Sequence, residues 1–69
     1  MLQYKLDIVQ KLSEIGYNPR KIRNDRILAE STMTKLRRKQ PISWENIDTI
    51  CHLLRCQPGD LLEWIDDDG

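Results

Sequence analysis

Apolar residues recur at helical spacing along most of this chain, and turn-forming residues interrupt them at short intervals. Leu6, Val9 and Leu12, with Ile8 and Ile15 beside them, make one stripe. It predicts a first helix from about Tyr4 to Ile15. Gly16 follows where a left-handed C-terminal residue is expected. Asn18-Pro19 reads as an N-cap and first helical residue, because proline's missing N–H would have been unpaired there anyway. The second helix, from Pro19 to about Asp25, is short and polar apart from Ile22, so it must be held by neighbours.

After a turn over Arg26–Ala29, a third helix is predicted from Glu30 to about Arg38. Met33 and Leu36 face inward, and Glu30, Ser31, Thr34, Lys35 and Arg38 face out. Glu30 in its first turn and Lys35–Arg38 in its last both suit the helix dipole. Gln40-Pro41-Ile42 ends it, since a residue before proline is pushed toward extended conformations. Ser43 caps a fourth helix over Trp44–Leu54, with Trp44, Ile47, Ile50, Cys51 and Leu54 inward. Arg55-Cys56-Gln57 is a turn. Pro58 opens a short fifth helix to about Trp64, with Leu61, Leu62 and Ile65 packing on the core. The expected fold class is therefore all-α: five short helices joined by tight turns, in one domain over residues 1–69. The acidic segment 66–69 is expected to be a frayed tail. The second and third helices, separated by about four residues, have the outline of a helix-turn-helix unit.

Composition agrees with this. The chain has 69 residues, with no Phe, three Gly and three Pro. It has room for one limited core, and helices suit that size because their hydrogen bonds are local. Charge adds more. The net charge is zero, but residues 1–40 hold ten basic and four acidic side chains, a balance of +6, and residues 41–69 hold one base, Arg55, against seven acids. A basic half can meet phosphate while an acidic half faces away. The opening run MLQYKLDIVQ lacks the apolar core of a secretory leader, and no apolar run approaches a bilayer span. A cytoplasmic protein with no membrane partner is expected. Cys51 and Cys56 are too few for a disulfide scaffold and lack partners for structural zinc, so both are expected as reduced thiols, Cys51 in the core and Cys56 in a turn. His52 has no acid or nucleophile at a productive spacing, and phosphate-cradling glycine loops are absent. No enzyme, catalytic residue, metal, cofactor or small-molecule substrate is expected.

The run Gly16-Tyr-Asn-Pro-Arg-Lys-Ile-Arg-Asn-Asp-Arg-Ile-Leu-Ala-Glu-Ser-Thr-Met-Thr-Lys-Leu resembles the helix-turn-helix of the Cro/C1 (XRE) transcriptional regulators. The run from Ile47 to Glu63 resembles the fourth and fifth helices of the same family, most distinctively in Cys56-Gln57-Pro58-Gly59-Asp60-Leu61-Leu62. The likeness covers nearly the whole chain and is to the small single-domain members of Gram-positive bacteria and phages. It implies a lambda-repressor-like five-helix fold whose third helix enters the major groove of double-stranded DNA. By that resemblance Glu30, Ser31, Thr34 and Lys35 are the candidate base readers, with Lys35 suited to guanine O6 and N7 and Glu30 to cytosine N4. Asn18, Arg20, Thr32, Arg37, Arg38 and Lys39 are the candidate phosphate contacts. Thr32 has the alternative of bonding locally, and Glu30 that of only complementing the helix dipole.

Three residues depart from the family's pattern. Arg23 stands where a small residue is common, and Ile27 and Lys39 stand where glycine is common. A β-branched residue resists a left-handed conformation, so the turn between helices two and three is expected to be built differently. The function implied is that of a sequence-specific DNA-binding regulator, a repressor, pairing as a homodimer through Tyr4 or Trp64-Ile65. The alternative is a protein-binding modulator or antirepressor on the same fold.

Overall fold

The computed structural model describes residues 1–66. The expectation of a frayed tail over 66–69 falls, beyond Asp66, outside the described residues. The elements in chain order are β1 (Leu2–Tyr4), α1 (Ile8–Glu14), α2 (Pro19–Asn24), α3 (Glu30–Arg37), α4 (Trp44–Leu54), α5 (Pro58–Leu61) and β2 (Leu62–Trp64). Five helices stand where the apolar spacing puts them. The small sheet corrects the all-α expectation.

The sheet replaces the two ends of the helical reading. Asp7 accepts a hydrogen bond from the Gln10 backbone N–H at 3.1 Å and so starts α1 at Ile8, four residues later than expected. The residues before it pair antiparallel with the C-terminal segment, in the register Leu2↔Trp64, Gln3↔Glu63 and Tyr4↔Leu62. Backbone bonds extend the ladder at both ends, from Lys5 N–H to the Leu61 carbonyl and from Ile65 N–H to that of Met1. Period-two alternation explains the choice. Tyr4 and Leu62 point to the core, while Gln3 and Glu63 lie on the other face and hydrogen-bond to each other at 3.2 Å. The fifth helix therefore ends at Leu61, not Trp64.

Asn18 and Ser43 cap α2 and α4 through their side chains, at 2.8 and 3.2 Å. Helices α1 to α4 end by one shared device. A residue of positive φ (Gly16, Arg26, Lys39 and Arg55) is followed by an N–H that reaches back five residues. These bonds run from Tyr17 to Leu12, Ile27 to Ile22, Gln40 to Lys35 and Cys56 to Cys51. The turn after α2 thus puts its left-handed residue at Arg26 and spares Ile27, which instead packs beside the core near its bonding partner Ile22. That is how a β-branched residue is tolerated there.

The core consists of Ile8, Leu12, Ile22, Leu28, Met33, Leu36, Ile50 and Leu61. Each helix supplies at least one of them. Ile22 is fully buried, and its burial, worth about 2–3 kcal/mol, anchors the otherwise polar α2. Helix α1 packs on α3 and α4, and α4 packs on α5. The inward face of α4 is centred on Ile50, with Asn46, Ile47, Leu53 and Leu54 half-buried around it. Trp44, expected inside, is 89% exposed. At 100° per residue it lies 120° from Ile50, in a first turn that overhangs the core.

Candidate nucleic-acid interface

Helix α3 has one face in the core and one in solvent. Thr32, Met33 and Leu36 are buried, which fixes its rotation. The opposite face then carries Ser31, Thr34 and Arg38 along its middle, with Glu30 and Lys35 on its flanks. All five are exposed. The four candidate base readers are thus brought onto one open surface. Arg37 and Lys39 are exposed as well, and Asn18 and Arg20 lie exposed at the start of α2.

Thr32 differs. It is 5% exposed, and its Oγ1 accepts a hydrogen bond from Asn46 Nδ2 at 3.0 Å. The hydroxyl therefore ties α3 to α4 and does not reach the outer surface as a phosphate-contacting side chain. The cause is rotational. Thr32 stands one helical turn before Leu36, on the core-facing side.

Arg23 and Arg26 were not among the expected contacts, yet both line a cleft between α2 and α3 with Arg37, Glu30 and Thr34. Arg23 stands on α2 and reaches the first residue of α3. Its Nε bonds Glu30 Oε1 at 2.6 Å and bridges the turn. Opposite charges seven residues apart, across a turn of known length, were the available signal. Glu30 therefore already holds a partner within the protein. Two further acids of the basic half are also paired, Glu14 with Lys11 at 3.6 Å and Asp25 with Lys21 at 3.1 Å. These exposed pairs contribute little to stability. Each pair sets one basic charge against one acidic charge, so the surplus of Arg and Lys on this half is left unpaired by them.

A family model for the Cro/C1-type HTH DNA-binding domain matches residues 8–67. The chain belongs to that family. Comparison with curated proteins and with solved structures found no match. This Cro/C1-type domain is a DNA-binding domain, with DNA as its partner.

Elsewhere, Cys51 and Cys56 are free, half-buried thiols, one on α4 and one in the turn beyond it. Burial, and then the neighbouring Cys51, push the Cys56 thiol above its ordinary value. His52 is exposed on α4. No group of three or more His, Cys, Asp or Glu among the described residues could hold a metal. No described helix is long and apolar enough to cross a membrane.

Proposed function

We propose that this chain is a sequence-specific transcriptional regulator, a repressor, that reads the major groove with α3. The observation that carries the reading is the rotation of α3. Its buried residues aim Ser31, Thr34 and Lys35 outward from one rigid element, with Glu30 at the edge. Lys35 donates to guanine O6 and N7, and Ser31 and Thr34 accept several partners. Glu30 is shared between cytosine N4 and Arg23. Asn18, Arg20, Arg37, Arg38 and Lys39 hold phosphates, and Arg23 and Arg26 join them from the cleft. Ala29 leaves the first turn of α3 without a side-chain cap, so its backbone N–H groups are also donors for phosphate. Such work belongs in the cytoplasm, needs no catalytic centre, and gains affinity from two copies on half-sites about one helical turn apart.

Selection of bound duplexes from a randomised pool tests this. A recurrent site should emerge. Lys35→Ala should relax the preference at one position, whereas Arg38→Ala should weaken all sequences alike. Binding with no recurrent sequence would reduce the protein to a general DNA binder and overturn the regulator reading.

A further inference from the structure

Helices α1 to α4 share one kind of ending, and at each an N–H that reaches back five residues brings two particular residues together. In this motif the side chains at the two ends of that bond commonly pack on each other. After α1 the pair is Leu12 and Tyr17, and after α2 it is Ile22 and Ile27, all four in or against the core. After α4 the pair is Cys51 and Cys56, the two cysteines of the chain. Arg55 before Cys56 is left-handed, and the Cys56 N–H donates to the Cys51 carbonyl at 3.1 Å. The turn therefore brings thiol toward thiol. The two side chains interact: after burial, the charge and a hydrogen bond of Cys51 are among the causes that raise the Cys56 thiol. Both cysteines are half-buried against the core, and both line an open groove beside α4, so the pair is reachable from solvent.

We propose that Cys51 and Cys56 form a two-thiolate site for one soft, monovalent cation, Cu(I). The ligand set selects the ion. Structural zinc takes four protein ligands. Here no group of three or more His, Cys, Asp or Glu among the described residues could hold a metal. His52 adjoins Cys51 in sequence but is exposed, and it stands about 100° round α4 from it. Two thiols with no third ligand satisfy a soft ion of low coordination number, and thiolate softness suits Cu(I) rather than Mg, Ca or Mn. Binding breaks two S–H bonds and forms two S–Cu bonds. Both protons leave to solvent and no electron moves. A disulfide between the same residues would instead need an oxidant. The cation also cancels the repulsion that two thiolates in contact would feel. Once held, it ties the last turn of α4 to the residue just before Gln57, the N-cap of α5. A ligand that binds only this folded arrangement stabilises it. The groove that holds both thiols shares no residue with the cleft between α2 and α3, so the site stands or falls without DNA.

Anaerobic titration of the reduced full chain with Cu(I), against a colorimetric Cu(I) chelator, tests it. One ion per chain is expected, with thiolate-to-copper absorption in the ultraviolet and a raised unfolding temperature. Cys51→Ser and Cys56→Ser should each weaken binding by more than about a hundredfold, beyond the cost of losing an outer-shell partner, with helical circular dichroism unchanged. Zn(II) should bind far more weakly in the same titration. A second arm asks whether the thiols converge in the folded chain. Phenylarsine oxide condenses with two thiols and releases one water. It should add once to the wild type and shield both cysteines from maleimide, and should leave the remaining cysteine of either single variant reactive. Wild-type affinity for Cu(I) no greater than that of the single variants, or one ion shared by two chains, would overturn the proposal. So would maleimide labelling of both cysteines in the presence of the arsenical, which would set the thiols apart.

Discussion

Thr32 and Glu30 show how exposed-looking polar positions of α3 can be bonded within the fold. The Thr32 hydroxyl is inside, bonded to Asn46, so Thr32→Val keeps the shape and leaves a half-buried amide unpaired. The expected loss is about 1–2 kcal/mol in urea unfolding, with DNA affinity of the folded protein unchanged. A fall in affinity without a fall in stability would return Thr32 to the phosphate contacts. Glu30 is held by Arg23, so Glu30→Gln should tighten binding to random duplex by removing a negative charge from the surface that faces phosphate. Anisotropy titration checks it. Two groups set an alkaline limit. Burial raises the Tyr4 phenol above 10.0 and the Cys56 thiol above 9.0. The folded state holds both protons more tightly than the unfolded state does. Their stabilisation is complete below those values and is lost as pH rises through the folded ones. Urea midpoints should therefore hold near neutrality and fall above pH 9, and less steeply in Cys56→Ala.

The helices were legible because caps and apolar spacing are local signals. Asn18, Pro19 and Ser43 start their helices as read, and Gly16 takes its positive φ. The sheet was not legible, because each strand has three residues and its partner lies at the other end of the chain. Apolar residues at Leu2, Tyr4 and Leu6 fit a strand, while Leu6, Val9 and Leu12 fit a helix, and only the pairing decides between them. Trp44 was misplaced for a related reason: spacing gives a face but not where the core ends. The turn after α2 was expected to be unusual, and the structure gives its form, a left-handed Arg26 with Ile27 kept in ordinary backbone. Three helices end on left-handed Arg or Lys without glycine, each a strain of about 1 kcal/mol. Lys39→Gly should therefore stabilise the fold by up to about 1 kcal/mol, seen as a higher unfolding temperature. The same change should weaken DNA binding by removing a phosphate contact. A glycine variant no more stable than wild type would mean the left-handed turn is not strained.

At the scale of the whole molecule, the charge asymmetry visible in the sequence becomes a division of labour. The basic first half folds into α1, α2 and α3, where Arg23, Arg26 and Arg37 line the cleft between α2 and α3 and Lys35, Arg38 and Lys39 are exposed on and after α3. The acidic second half carries α4, α5 and the sheet end, where the tryptophans lie. Nothing local in the sequence placed Arg23, Arg26 and Arg37 around one cleft, because that depends on the angle between α2 and α3. The central claim is that the basic face binds DNA through charge and that α3 adds the reading. Fluorescence-anisotropy titration of random duplex DNA at low and moderate salt tests it most directly, comparing wild type with Lys35→Ala and Arg38→Ala. Affinity should fall steeply with salt, both variants should bind more weakly, and Arg38→Ala should flatten the logarithmic salt slope by about one. Absence of binding at low salt, or binding indifferent to salt and to both substitutions, would contradict the account.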